Sequence, residues 1–381
     1  MARMRGRFLN SRKVLVPVEW LGIGLAVIIL PVLPHRLLLT FCDLTSGVLY
    51  GCDRKGRRRA LFNLRIITGR IPPEANVADF DPEKADYDPT SRERRIIRRS
   101  YRNMSRTVGH LVWTCWRARS RAAAVGELDP NAKAFLAEHR PAVTVSGHIG
   151  CWEVLPQLVH LAGHRMMSVA KDIGTPAMTK LLMRSRRSIG QEIVHANGAF
   201  RRLMSGIRGG SSLGLLIDQH VDPEDGGVWV RFLGRPMPVS AAPAFFAAKA
   251  KAQIAVAWSR PLKDGRYRCE LLAIHPPEEA RDIWRLTQRC VADLERVIRR
   301  HPSCWVLNYN YFCNLPTGPS RNSCRESGMA VRSGCWSISV SIRRTVVSGC
   351  GSWAIRCPFR RHRRSFRQRR RLRSSSPGRI R

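Results

Sequence analysis

The sequence contains no Cys-x-x-Cys pair and no His/Cys cluster at metal-ligand spacing. Its twelve cysteines are scattered, four of them (Cys324, Cys335, Cys350 and Cys357) in the last stretch of chain. This distribution fits free thiols in a reducing compartment rather than a disulfide framework. His160 and His164 lie four apart without a third ligand, so the pair is not expected to hold a metal. Acidic residues are scarce: 28 Asp and Glu stand against 66 Lys and Arg, for a net charge of +38. No small-x-small cleavage site follows the apolar run Val14 to Leu33, where Pro31 and Pro34 stand instead, which argues against a removed signal peptide.

Lysine and aspartate disappear altogether from Thr317 onward, where 17 Arg face a single acid, Glu326. That stretch carries +16 and leaves +22 on residues 1–316. Even the smaller figure calls for an anionic partner: phospholipid headgroups, a phosphorylated substrate, an acidic carrier protein or nucleic acid. Residues 316–381 lack a sustained hydrophobic period, and like charges at this density resist collapse. We expect a disordered Arg/Ser-rich tail there; an out-of-frame end of a GC-rich coding region would have this composition. The functional alternative is a basic nucleic-acid-binding arm.

At 381 residues the chain has room for one large or two modest domains. Residues 1–55 read as a basic N-terminus and membrane anchor, because Val14 to Leu33 has Glu19 as its one charge and roughly 20 apolar residues span a bilayer core. Pro17 and Glu19 weaken a simple spanning helix, so a monotopic or hairpin anchor with Leu37–Tyr50 and a buried helix pair remain alternatives. Basic residues flank the run on both sides, including Arg12, Lys13, Arg54 and Lys55. The excess of positive charge places the main domain, residues 56–315, on the cytoplasmic face.

Residues 71–92 form a polar loop rich in Pro and Asp, and a helix from about Ser91, capped by that residue, to Arg117 follows. From Pro141 the pattern alternates. Candidate strands are Ala142–Ser146, Met166–Ala170, Leu213–Ile217, Gln253–Ser259 and Arg266–Leu272. Candidate helices are Trp152–Ala162, Thr175–Ile189, Ala199–Arg208 and Val239–Ala250, with a last amphipathic helix over Glu278–Arg300 whose stripe is Ile283, Leu286, Cys290, Leu294 and Ile298. Such alternation predicts an α/β fold with a mostly parallel central sheet flanked by helices.

The chemistry concentrates in Ser146-Gly147-His148-Ile149-Gly150-Cys151-Trp152-Glu153, directly after an apolar run. A histidine beside a carboxylate is the minimum equipment for deprotonating a hydroxyl. Five residues in one helix are about 140° apart around the axis, so the two meet only with His148 in a turn and Glu153 in the first helical turn. On spacing alone a helix-capping His148 and a solvated Glu153 explain the pattern equally well.

The octapeptide resembles the (Thr/Ser)-Gly-His-x-Gly-x-Trp-Glu signature of the bacterial lipid A biosynthesis acyltransferases, within the wider His-x-x-x-x-(Asp/Glu) group of glycerolipid-type acyltransferases. The resemblance continues in order over residues 14–312. It includes the apolar N-terminal segment, Arg-Arg-Ala-Leu-Phe-Asn-Leu-Arg around Asn63, Arg186-x-x-x-Gly190, and Gly-Leu-Leu-Ile-Asp218-Gln219. Phe232-Leu233-Gly234-Arg235-Pro236, Ala257-Trp258-Ser259-Arg260 and His301-Pro302-x-x-Trp305 complete it. Leu233 departs from the family's Phe-Phe-Gly, and Val306–Phe312 lacks its closing Arg-Trp pair.

The resemblance implies a glycerolipid acyltransferase-like fold. It also implies transfer of a fatty acyl group from an acyl carrier protein or coenzyme A thioester, used as co-substrate without a cofactor or metal, to a hydroxyl of a lipid A-type glycolipid. His148 would act as general base and Glu153 would orient it. Backbone N–H groups near Gly150, or Arg186, would hold the developing oxyanion; Arg186 could instead clamp a phosphate. Asp218 would orient Arg186 or begin a turn, and Arg260 is similarly open between substrate binding and structure. Substituting His148 or Glu153 is then expected to abolish transfer without unfolding. The expected setting is the bacterial inner membrane, with a glycolipid acceptor, an acyl carrier protein partner, no specific nucleic acid and a monomeric enzyme. Alternatives are a glycerophospholipid or mannoside acceptor, a thioesterase, a Cys151–His148 acyl-enzyme, and a nucleic-acid-binding membrane protein.

Overall fold

A computed structural model of the chain describes residues 24–312 except 74, 76–80, 83, 171–175, 189 and 196–198, together with 330–332 and 335–337. Its centre is a seven-stranded sheet built from β1 (Gly126–Leu128), β2 (Ala142–Ser146), β3 (Met166–Ala170), β4 (Glu192–His195), β5 (Ser212–Leu216), β8 (Gln253–Pro261) and β9 (Tyr267–His275). The strand order is β1-β9-β8-β2-β5-β3-β4. All neighbours are parallel except β8 and β9, which form an antiparallel pair. A separate hairpin joins β6 (Gly227–Phe232) to β7 (Arg235–Ser240).

The helices are α1 (His35–Cys52), α2 (Arg54–Ile67), α3 (Ser91–Trp113), α4 (Ala118–Val125), α5 (Pro130–Ala137), α6 (Val154–Leu161), α7 (Pro176–Ser188), α8 (Ala199–Arg208), α9 (Ala242–Ala250) and α10 (Ile283–Arg300). They cover both faces of the sheet. Val143, Val145, Ile254 and Val256 join one core with residues of α2, α8, α9 and α10, while the alternate residues Ala142 and Ala255 pack with Phe135 of α5. The period of two along each strand divides the cores. All five residues of β2 are buried, as in a strand sheltered on both sides.

The predicted α/β class and its five strands are present, and the predicted stripe of α10 packs into the main core. Between residues 24 and 312, four strands escape the pattern. β1 and β4 are three and four residues long and carry few apolar side chains. The β6–β7 hairpin turns through Leu233 and Gly234, both at positive φ, and its second strand contains Pro236 and Pro238, which lack an N–H to donate and so suit a ribbon flanked beyond β7 only by the isolated His220–Val239 bridge. The helix expected from Val239 therefore starts at Ala242, with Pro243 in its first turn, where a missing N–H costs nothing. The cap of α3 is Thr90 rather than Ser91: its side chain accepts from the Glu93 N–H while Glu93 accepts from the Thr90 N–H. That helix stops at Trp113, short of Arg117, which adopts a left-handed φ of 50°.

Among the described residues no helix is long and apolar enough to cross a membrane. The spanning-anchor expectation thus finds no support in them, and residues 14–23 of the predicted anchor lie outside them. The tail expectation also falls outside the described residues, apart from Ala330–Arg332 paired antiparallel with Cys335–Ser337.

Candidate active site

Strand register assembles the site. Ser146 of β2 pairs with Leu216 of β5, and Ile217 N–H donates to Ser146 O at 3.1 Å. Two residues beyond that pair, on strands about 4.8 Å apart, stand His148 and Asp218. His148 Nδ1 lies 2.8 Å from Asp218 Oδ1, and the His148 backbone N–H donates to Asp218 Oδ2 at 2.8 Å. Trp305 Nε1 donates to the same Oδ2 at 2.9 Å. A Cβ at position 147 would sit 3.0 Å from Asp218 Cγ, so Gly147 permits the close approach of the carboxylate.

The Asp218 side chain is 0% exposed and that of His148 is 23% exposed. Burial alone would raise the Asp218 pKa. The charge of His148 and the hydrogen bonds from His148 and Trp305 outweigh it, so Asp218 ionises below its ordinary range. For His148, burial favours the neutral ring. The Asp218 charge and hydrogen bond, with the charge of Glu153 and against that of Arg186, outweigh burial and set its pKa above the ordinary value.

Glu153 does not orient His148. It occupies the N-terminal end of α6 as expected, but its oxygens are bound by Arg186, with Nε to Oε2 at 3.0 Å and a terminal nitrogen to Oε1 at 2.7 Å. Trp152 Nε1 also donates to Oε1 at 3.1 Å, and the Trp152 ring meets His148 edge-on, with centroids 5.1 Å apart. The Glu153 and Arg186 side chains are 7% and 14% exposed. The helix carries its acid away from the imidazole, and the neighbouring strand supplies the carboxylate instead. Asp218 neither orients Arg186 nor merely begins a turn.

The oxyanion expectation near Gly150 also changes. Gly150 N–H donates to Cys304 O at 2.7 Å and Cys151 N–H to Ser259 O at 3.2 Å, so both are spent within the fold. Arg186 is neutralised by Glu153. Arg260 pairs with Glu270 at 2.6 Å across the β8–β9 hairpin, a structural ion pair that also receives Trp258 Nε1 on Glu270. Cys151 is fully buried and its thiol is pushed up to about 12 by burial, which argues against a nucleophilic thiolate. Among the described residues no group of three His, Cys, Asp or Glu side chains is placed to hold a metal ion.

Gly150 has φ +65°, and a Cβ there would lie 1.7 Å from Ser259 O. Gly150→Ala is therefore expected to displace the His148 turn from β8 and lower the thermal midpoint; a variant with unchanged melting contradicts this packing.

The segment after α10 completes the site in a way sequence reasoning left unassigned. Ser100 Oγ donates to Trp305 O at 2.6 Å and accepts from Leu307 N–H at 3.2 Å. Asn63 Nδ2 donates to Leu307 O and Tyr309 O at 2.7 and 2.8 Å. Asn103 donates to Ser303 O, and Thr107 Oγ1 donates to Gly150 O at 3.2 Å. The available signal was Ser100, Asn103 and Thr107 on one face of an otherwise arginine-rich helix.

The sequence matches the family described as bacterial lipid A biosynthesis acyltransferase over residues 87–312, more than half of the chain. Among solved structures it is similar to the crystal structure of the 1-acyl-sn-glycerophosphate (LPA) acyltransferase PlsC from Thermotoga maritima. That similarity has 12% identity and a TM-score of 0.30, and covers 68% of this chain and 95% of that one. No curated protein matches the sequence.

Proposed function

The chain belongs to the bacterial lipid A biosynthesis acyltransferase family, and on that premise we propose that it transfers a fatty acyl group from an acyl carrier protein or coenzyme A thioester to a hydroxyl of a lipid A-type glycolipid. The observation that carries the mechanism is the 2.8 Å contact of His148 with a wholly buried, ionised Asp218. With Nδ1–H donated to Asp218, Nε2 is the nitrogen left for substrate. It removes the hydroxyl proton as the oxygen attacks the thioester carbonyl, and Asp218 stabilises the imidazolium that forms. The C–S bond then breaks, and the imidazolium returns its proton to the departing thiolate. Glu153 and Arg186 brace the turn that carries His148.

The proposed setting is the cytoplasmic face of the bacterial inner membrane, where the basic surface meets anionic lipid and an acidic carrier protein. Purified protein, an acyl thioester and a lipid A precursor should yield acylated glycolipid by mass spectrometry. Free fatty acid without acylated lipid would point to a thioesterase and sink the reading; acylation of a glycerophospholipid or mannoside alone would replace the acceptor.

The base form of His148 is required, so kcat/KM rises with pH through its ionisation. Because Asp218 raises that pKa, the acidic limb should have its midpoint above the ordinary value of about 6.5. Trp305→Phe removes a donor from Asp218, leaving the carboxylate more basic and its hold on the imidazolium tighter. The midpoint is expected to move further up, and a midpoint below the ordinary value in the parent enzyme contradicts the assigned pair.

A further inference from the structure

The Trp305 indole N–H reaches Asp218 Oδ2 at 2.9 Å, but the backbone does not fix the indole. Trp305 O accepts from Ser100 Oγ, and the Trp305 backbone forms an isolated bridge to Ile149 of the catalytic turn. These bonds set where the side chain starts. Rotation about χ2, which is broad and roughly two-fold in tryptophan, decides where the N–H points. Packing has to settle that angle.

Tyr311 supplies the packing. Its ring lies against the indole with centroids 3.9 Å apart and planes 22° from parallel, while Phe232 of β6 meets the indole edge-on at 5.8 Å. Trp305, Tyr311 and Phe232 are 1, 0 and 0% exposed, and rings so enclosed have no room to move aside. The Tyr311 hydroxyl, by contrast, is buried without a hydrogen-bond partner among the described residues, an arrangement that costs stability. Burial, together with the charge of Asp218, holds the phenol well above its ordinary pKa, so it stays neutral. What position 311 brings to the site is a flat, uncharged face.

We propose that Tyr311 is a positioning residue: its ring seats the Trp305 indole so that Nε1 meets Asp218, and thereby helps to hold the carboxylate that serves His148. It acts through Trp305 rather than on substrate. The proposal rests on the reading of Asp218 as the partner of the His148 base. Without the stack the indole is free to turn, and Asp218 loses a donor. A carboxylate short of one donor is more basic and grips the imidazolium more tightly.

Two variants of the full chain separate ring from hydroxyl: Tyr311→Met fills much of the space without a flat face, and Tyr311→Phe keeps the face. The first readout is the Trp305 indole N–H resonance in protein carrying isotope-labelled tryptophan, identified by its loss in Trp305→Phe. A bond to a carboxylate carries this proton downfield. That position should be kept in Tyr311→Phe and lost in Tyr311→Met. The second readout is the acidic midpoint of kcat/KM. Tyr311→Met should raise it by about half a pH unit, Tyr311→Phe should leave it in place, and Tyr311→Met added to Trp305→Phe should shift it no further. The charges acting on His148, those of Asp218, Glu153 and Arg186, are the same in all these proteins. A Tyr311→Met protein with the parental resonance and midpoint overturns the proposal. So does a Tyr311→Phe protein that moves as Tyr311→Met does, which assigns the work to the hydroxyl. If circular dichroism shows Tyr311→Met unfolded, the parent decides: absence of cross-relaxation between the indole and Tyr311 ring protons overturns the stack. A resonance lost in Tyr311→Met, with a midpoint unmoved in Trp305→Phe, leaves the stack standing while the assigned role of Asp218 fails.

Discussion

Asp218→Asn lowers acyl transfer by about 10³- to 10⁴-fold while leaving the fold intact, a loss of the size seen when a buried carboxylate behind a catalytic histidine becomes an amide. The geometry explains why an isosteric change is so costly. Oδ2 receives two fixed donors, the His148 backbone N–H and Trp305 Nε1. The amide oxygen of Asn must take that position, which turns its NH₂ toward His148 Nδ1. Nδ1 then has to accept, and the ring proton moves to Nε2, the nitrogen that must be free to act as base. The negative charge that stabilises the imidazolium is lost as well. His148→Ala should be at least as inactive. Initial rates with an acyl thioester donor, on protein shown to be folded by circular dichroism, decide the matter, and near-parental turnover in Asp218→Asn would remove Asp218 from the mechanism.

The largest effect on stability belongs to Glu153. Glu153→Ala strands the Arg186 guanidinium in a site where it is 14% exposed, and losing one partner of a buried pair costs about 3–5 kcal/mol. Acyl transfer falls with it, because the His148 turn leads directly into α6. The double variant Glu153→Leu/Arg186→Met removes both charges together, and should recover most of the lost stability and part of the activity. Denaturant midpoints of the two variants measure the difference. A Glu153→Ala protein with unchanged stability and no activity would return Glu153 to a direct part in the chemistry, as spacing and resemblance first suggested.

Much of this site was legible as a set of residues. His148, Glu153, Arg186, Asp218 and Trp305 all stand in motifs that can be read along the chain, because a strand, a glycine-bounded turn and a helix start leave local signatures. Their partners were not legible. His148 and Glu153 are five residues apart, and proximity in sequence suggested a pair that the start of α6 separates. Trp305 has no local feature that announces its hydrogen bond to a carboxylate 87 positions earlier. Among the elements, β4 and the β6–β7 hairpin escaped because their stability comes from neighbours rather than from their own periodicity.

The class of fold, the positions of the inner strands, the acyltransferase family and the histidine at its centre all follow from the order of residues along the chain, because each rests on local patterns of apolarity, glycine and motif. Which carboxylate pairs with that histidine is set by the folded chain alone. The parallel pairing of β2 with β5 sets His148 and Asp218 at the same level, and the segment after α10 brings Trp305 onto Asp218. Such pairings span 70 residues and more, and they depend on strand register, which one chain's local pattern does not specify.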